Sequence, residues 1–255
     1  MKNNLIQWPR AQYWDKPWNP IVGCQPCSPA CDNCYAREAT VNRFGQSFKP
    51  HFTKKVSPPE SGVVFCGNMT DLFGEWMPLP HIWSYFSKLW HFKSRHGSPQ
   101  PNDATYLFCT KRVERMCDAL EQYTYMPHAY FGFTAENQEW YDLRFDTWRG
   151  HPASSKANGW LSAEPLLGPI DLGLRYIAPE DMPFRWVAVG CESGPKRRPC
   201  KIEWVESIVR QCRERDIPVF VKQLDIDGKC ERDITKFPEH LRIRQVPWAT
   251  KEGAE

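Results

Sequence analysis

Four of the chain's eleven cysteines crowd into one stretch, WNPIVGCQPCSPACDNCYAREA, where Cys24, Cys27, Cys31 and Cys34 are spaced C-x2-C-x3-C-x2-C. Thiolates are soft ligands, and a group this dense is first of all a set of metal donors. Three chemistries compete for it. A structural zinc site asks for CxxC knuckles set further apart, or for a histidine close by. Here only three residues separate the knuckles, and the nearest histidine is His51. A pair of disulfides requires an oxidising compartment. An iron–sulfur cluster fits best, because thiolates from one loop each reach a separate iron corner. The other cysteines, Cys66, Cys109, Cys117, Cys191, Cys200, Cys212 and Cys230, stand singly, several in apolar surroundings (VVFCGN, YLFCTK, AVGCES). They read as small buried hydrophobes.

A loop of ligands needs a scaffold. With 255 residues, 41% of them hydrophobic and 25% charged, the chain has enough apolar material for one full-sized core, which excludes a disordered protein. Lys plus Arg outnumber Asp plus Glu by 33 to 30, and a net charge of +3 is too weak to argue for nucleic acid by itself. No window approaches the roughly 18 apolar residues of a membrane helix. The opening MKNNLIQWPRAQYWDKPW has no apolar run of signal-peptide type. The expectation is a protein of the reducing cytoplasm with no membrane partner, where cysteines serve as ligands or buried thiols.

Proline-rich breaks at 57–60, 78–80, 98–101 and 165–169 separate short apolar runs from helix-like segments. Strands are expected at 20–22, 62–66, 105–109, 130–134, 159–161, 186–189 and 219–222; they are β-branched or aromatic without strict alternation, as strands buried on both faces read. Helices are expected at 32–44, 81–91, 113–122, 137–148 and 201–215. In the last, Ile202, Val205, Ile208, Val209 and Cys212 recur at helical spacing before a basic end. Repeated strand–helix order implies a parallel sheet, and at this length an α/β fold closing as a partial or irregular (β/α) barrel. An open doubly wound sheet is the alternative. Residues 1–225 form one domain in this reading and 226–255 a C-terminal extension.

In such folds the site is built after the C-terminal ends of the strands. Each expected strand does end in polar residues: the cysteine loop after the first, then Asn68, Thr70 and Asp71, then Thr110, Lys111 and Arg112. Glu136 and Asn137 follow, then Ser162 and Glu164, then Glu192 and Ser193, and finally Lys222, Gln223 and Asp225. Helix capping accounts for Asn137 and for Asp71. Glu164, Glu192 and Lys222 are not typical turn or cap residues, and with Lys111 they are the candidates for catalysis on the substrate side.

Cys27, Cys31 and Cys34, C-x3-C-x2-C followed by Tyr35, resemble the signature of the radical S-adenosylmethionine (SAM) superfamily. The resemblance implies a 4Fe–4S cluster on three cysteines, with one iron left open to chelate SAM. An electron, supplied by an external donor, then cleaves SAM to a 5′-deoxyadenosyl radical. It also implies that the segment after the second strand, Gly67, Asn68, Thr70 and Asp71 in GNMTD, binds the amino group of SAM. Lys111 and Lys222 facing carboxylates would suit such a zwitterionic cofactor. A longer series, WNPIVGCQPCSPACDNCYA, VFCGNMTDLF, FCTKRVERM, YFGFTAENQ, GWLSAEPLLGPIDL, WVAVGCESGPKRRP and IPVFVKQL, resembles the phage- and prophage-associated family of uncharacterised three-cysteine, radical-SAM-like proteins over residues 14–224. That family's C-x6-C-x2-C spacing maps onto Cys24, Cys31 and Cys34 rather than Cys27, Cys31 and Cys34. Four bound thiols would instead mean a closed cluster or zinc without radical chemistry.

Two further segments carry alternatives. Trp8, Tyr13, Trp14 and Trp18 either stack on bases or pack the scaffold. The basic loop around Lys196, Arg197 and Arg198 is either a solvated turn or a contact for phosphate and nucleic acid. The expected function is therefore a radical SAM 4Fe–4S enzyme acting on an unknown substrate, nucleic acid among the choices. The competing function is a zinc- or cluster-stabilised nucleic-acid-binding or partner-binding protein without catalysis.

Overall fold

Strands and helices alternate as the sequence patterning implies in the computed structural model, which describes residues 6–8, 10–55, 57–90, 103–122 and 126–248. In chain order the strands among them are β1 (Ile6–Gln7), β2 (Lys16–Trp18), β3 (Ile21–Val22), β4 (His51–Phe52), β5 (Ser61–Cys66), β6 (Asp103–Thr110), β7 (Ala129–Thr134), β8 (Asn158–Ala163), β9 (Trp186–Gly190), β10 (Val219–Ile226), β11 (Lys229–Glu231) and β12 (Gln245–Val246). The α-helices are α1 (Tyr35–Glu38), α2 (Leu79–Trp90), α3 (Val113–Leu120), α4 (Gln138–Gly150) and α5 (Ile202–Arg213). The chain is mixed α/β with mostly parallel strand pairing. It divides into two compact units. The N-unit comprises Trp14–Phe133 and Asp146–Asn158; the C-unit comprises Met1–Tyr13, Thr134–Phe145 and Gly159–Glu255.

In the N-unit β2, β5, β6 and β7 lie side by side, every pair parallel. A parallel pair cannot be closed by a tight hairpin, so helices carry the chain back: α2 lies between β5 and β6 in sequence, α3 between β6 and β7. Helix α2 buries Ile82, Tyr85, Phe86 and Leu89, one stripe at helical spacing. Its Phe86 meets Phe108 of β6 edge-on at 5.5 Å and Phe131 of β7 at 5.6 Å, while Phe108 and Phe131 stack at 5.0 Å. The helix expected to reach His91 is described as far as Trp90; His91 and the 98–101 break lie outside the described residues.

The expected first strand of the sheet is displaced. Residues 21 and 22 are extended, but as β3 they pair antiparallel with β4, while β2 pairs with β5. Lys16-Pro17-Trp18 reads poorly as a strand because Pro17 has no N–H to donate. At the edge of a sheet that loss is tolerated, and β2 is an edge strand. The expected helix 32–44 is also interrupted: α1 lasts one turn and continues as a π-helical turn over Ala39–Arg43. Thr40 Oγ1 donates to the Ala36 carbonyl at 2.8 Å, competing with the helical ladder and bending it.

In the C-unit β8, β9 and β10 are parallel neighbours and β11 turns back antiparallel on β10. Helix α5 connects β9 to β10 and buries Val205, Ile208, Val209 and Cys212 of the stripe read from the sequence, while Ile202 at its start is half-buried. The segment after Asp225 is built into this unit. It supplies β11, β12 paired with β1, and the buried side chains of Phe237, Leu241 and Trp248. Tyr13 packs edge-on against Trp160, Trp186 and Phe220. No helix among the described residues is long and apolar enough to cross a membrane.

Candidate functional site

The cysteine loop begins at a glycine for a steric reason. Gly23 has φ +95°, and a Cβ there would lie 2.4 Å from the Lys49 carbonyl oxygen. Only glycine admits the chain at this point. Three hydrogen bonds then fasten the loop and the start of α1 to the turn after β5. Gly23 N donates to the Met69 carbonyl at 3.1 Å, Thr70 Oγ1 donates to the Gly23 carbonyl at 2.6 Å, and Tyr35 OH donates to the Asn68 carbonyl at 2.5 Å. Asn19 braces the same turn, donating to Asn68 Oδ1 at 2.7 Å and accepting from Met69 N at 3.1 Å. Gly67 opens the turn at φ +81°, where a Cβ would meet Leu72 Cγ at 2.8 Å.

All four cysteines of the loop are half-buried free thiols. The Cys27 and Cys31 side chains share a hydrogen bond. That bond from Cys27 lowers the Cys31 thiol to about 5, with the Lys111 charge assisting, and raises Cys27. Burial, with the Asp71 charge adding to it, pushes Cys24 up to about 11. Among the described residues no three His, Cys, Asp or Glu side chains converge as they would around a single ion.

Asp71 is buried and its carboxylate is fully engaged. Oδ1 accepts from Thr110 Oγ1 at 2.7 Å and Phe73 N at 3.0 Å; Oδ2 accepts from Lys111 N and Arg112 Nη1, each at 3.1 Å. Its geometry is that of a positioning residue. What it positions is Arg112, which also pairs with Glu75 at 2.9 Å, lies 4.7 Å from the Trp76 ring centroid, and donates through Nη2 to the Gln25 carbonyl at 3.0 Å. Arg112 therefore delivers a guanidinium to the backbone of the cysteine loop. The sequence places it after a strand in TKR but gives it no role; the signal was its neighbour Asp71, a carboxylate after the preceding strand.

The C-unit gathers the other candidates. Glu164 Oε2 accepts from Tyr13 OH at 3.0 Å and pairs with Lys222 Nζ at 3.4 Å. Its Oε1 is buried with no hydrogen-bond partner among the described residues. Lys222 also lies 5.4 Å from the Tyr13 ring centroid. Glu192 is buried and committed to Arg198, whose backbone N and Nε donate to its Oε2 at 2.8 and 3.0 Å. Of the basic loop, Arg198 is paired with Glu192, Arg197 is half-buried and Lys196 is exposed. Glu136 is fully buried and pairs with Arg144 at 2.7 Å. Of the amino-terminal aromatics, Trp8, Tyr13 and Trp18 are buried and Trp14 is half-buried, tilted against Phe65 at 6.0 Å.

The structure thus brings Gly67, Asn68, Thr70, Asp71 and Lys111 together with Cys24, Cys27, Cys31 and Cys34 in the N-unit. In the C-unit it pairs Glu164 with Lys222. Residues 9–237 match the model of one protein family, described as a protein of unknown function (DUF5131). No curated protein and no solved structure matches the chain.

Proposed function

The chain belongs to the DUF5131 family, and we propose that it is a radical-SAM-like iron–sulfur protein that reductively cleaves SAM to act on a substrate still to be identified, nucleic acid among the candidates. Cys31 and Cys34, with Cys24 or Cys27, would hold a 4Fe–4S cluster. The donor set fits: four thiols lie on one short loop, with Lys111 and Arg112 placed to offset thiolate charge. A cluster seats its thiolates on separate irons and does not ask them to converge on one point. When bound, it supplies an electron from an external donor to SAM through the iron that three-thiolate ligation leaves open.

The observation that carries the reading is the fastening of the cysteine loop to the turn at 67–71. Ligands and cofactor turn are one piece of one unit. The Asn68 carbonyl accepts from Tyr35 and keeps a second lone pair for an ammonium group. Gly67 removes the side chain that would displace the turn. In the C-unit, Glu164 keeps a buried oxygen without a donor among the described residues, a costly arrangement that a ligand's donor would relieve. The basic loop, with Lys196 exposed and Arg197 half-buried, is compatible with an anionic substrate. The parallel strands of each unit, with helical crossovers, support a partial (β/α) barrel as the scaffold.

The test is anaerobic reconstitution with iron and sulfide, then dithionite and SAM, with 5′-deoxyadenosine as the readout. Wild type is expected to be brown, with an absorbance shoulder near ~400 nm, and to form the nucleoside; Cys31→Ala forms none. A colourless protein with one zinc per chain, or product from Cys31→Ala, would overturn the reading.

A further inference from the structure

A second group of cysteines, read from the sequence as scattered hydrophobes, assembles in the C-unit. Cys191 directly follows β9; its N donates to the Gln223 carbonyl at 3.2 Å, and its carbonyl accepts from Gln223 Nε2 at 2.7 Å. Cys230 sits on β11 opposite Asp225 of β10. The β10–β11 connection is a two-residue Asp227-Gly228 turn with both φ values positive, a tight hairpin that fixes β11 on β10. Gln223 closes the arrangement, since its Oε1 accepts from Arg232 Nε at 3.0 Å, two residues beyond Cys230. One side chain therefore holds Cys191 and the end of β11 together. The result is that the Cys191 and Cys230 thiols come close enough to influence each other directly.

The two thiols differ. Cys191 is buried, 2% exposed, whereas Cys230 is half-exposed. The groups acting on Cys230 are Cys191, Arg232, Arg197 and Lys222, with Asp225 opposite it on β10, and those acting on Cys191 include Cys200 and Asp225. Three cations beside Cys230 favour a thiolate and oppose a divalent metal ion. The interaction with the Cys191 thiol, with those cations, lowers Cys230 to about 6, and the same interaction raises Cys191. An accessible thiolate beside a buried thiol is the arrangement of an attacking and a resolving cysteine.

We propose that Cys191 and Cys230 form a redox-active dithiol that a hydroperoxide converts to an intrachain disulfide. The Cys230 thiolate attacks one peroxide oxygen. The O–O bond breaks, the sulfur is oxidised to a sulfenic acid, and the departing oxygen takes a proton and leaves as an alcohol, or as water from hydrogen peroxide. Cys191 then gives up its proton, its sulfur displaces hydroxide from the Cys230 sulfur, and water leaves as the S–S bond forms. Two thiols and one hydroperoxide become one disulfide, one alcohol or water, and one further water. A thiol reductant reverses the change by exchange.

The test uses the full chain, reduced, freed of reductant under argon and given equimolar hydrogen peroxide. Remaining thiols are blocked with N-ethylmaleimide and tryptic peptides mapped without reduction. The expected result is a Cys191–Cys230 linked peptide that is missing before peroxide, lost on dithiothreitol, kept in Cys200→Ser and absent in Cys230→Ser. In Cys191→Ala, dimedone labels Cys230 and no link forms. The Cys230→Ser arm stands alone if the buried Cys191 variant fails to fold. Linkage of Cys230 to Cys200 or to the cysteine loop instead, recovery of Cys230 as a free thiol after peroxide, or a zinc ion lost specifically in Cys230→Ser would each overturn the proposal.

Discussion

At the scale of single residues, the four amino-terminal cysteines are not equivalent. Cys24 follows the sterically required Gly23, and its own N donates to the Phe48 carbonyl at 3.1 Å, so its backbone is held. Cys27 is defined chiefly through its hydrogen bond to Cys31. The family spacing selects Cys24, the superfamily spacing Cys27. With Cys24, Cys31 and Cys34 as ligands, Cys24→Ser is expected to lose reconstituted iron and the absorbance near ~400 nm, while Cys27→Ser keeps both. Iron per chain, measured after anaerobic reconstitution and desalting, decides; the reverse pattern moves the third ligand to Cys27. Spacing alone leaves this choice open, because both triplets fit one loop. Asp71 is the opposite case. Its place after a strand is legible in the sequence, but its four donors come from β6, the segment after it and its own turn, and only the fold shows that it is saturated.

At the scale of elements, periodicity carries most of the information. Helix α5 and the strands from β5 to β10 lie where apolar spacing puts them, because burial imposes a 3.6-residue or extended repeat that a sequence displays directly. The misplacements occur where burial is not the governing force. Strand β2 is a short, proline-bearing edge with two of its three residues exposed, and α1 yields to a threonine bonding its own backbone. The turn after β5 is where an element-scale change should be felt. Gly67→Ala forces a Cβ against Leu72 at a left-handed φ, at a cost of about 1–2 kcal/mol. Thermal or denaturant unfolding should show that loss. SAM affinity of the reconstituted protein should fall as well, because the turn is tied to the cysteine loop; unchanged affinity would detach the turn from cofactor binding.

At the scale of the whole molecule, cofactor loading and stability are linked. A group that binds only the folded state at one hundred times its dissociation constant stabilises by about 2.7 kcal/mol, roughly 5–10 °C in a chain of this size. Differential scanning calorimetry under argon should show a rise of that order on reconstitution of the wild type and none for Cys31→Ala. Equal melting of loaded and unloaded protein would mean that the cluster contributes nothing to the fold. The sequence by itself determined the α/β class, the mostly parallel strand–helix order, the soft-donor loop and the polar residues at strand ends. Those are local properties, set by composition, repeat and spacing within a few residues. Only the tertiary structure decided which distant groups meet: Thr70 with Gly23 across 47 positions, Lys222 with Glu164 across 58, Cys230 with Cys191. Such meetings depend on strand register and on how each crossover returns the chain, and neither is written in any one segment.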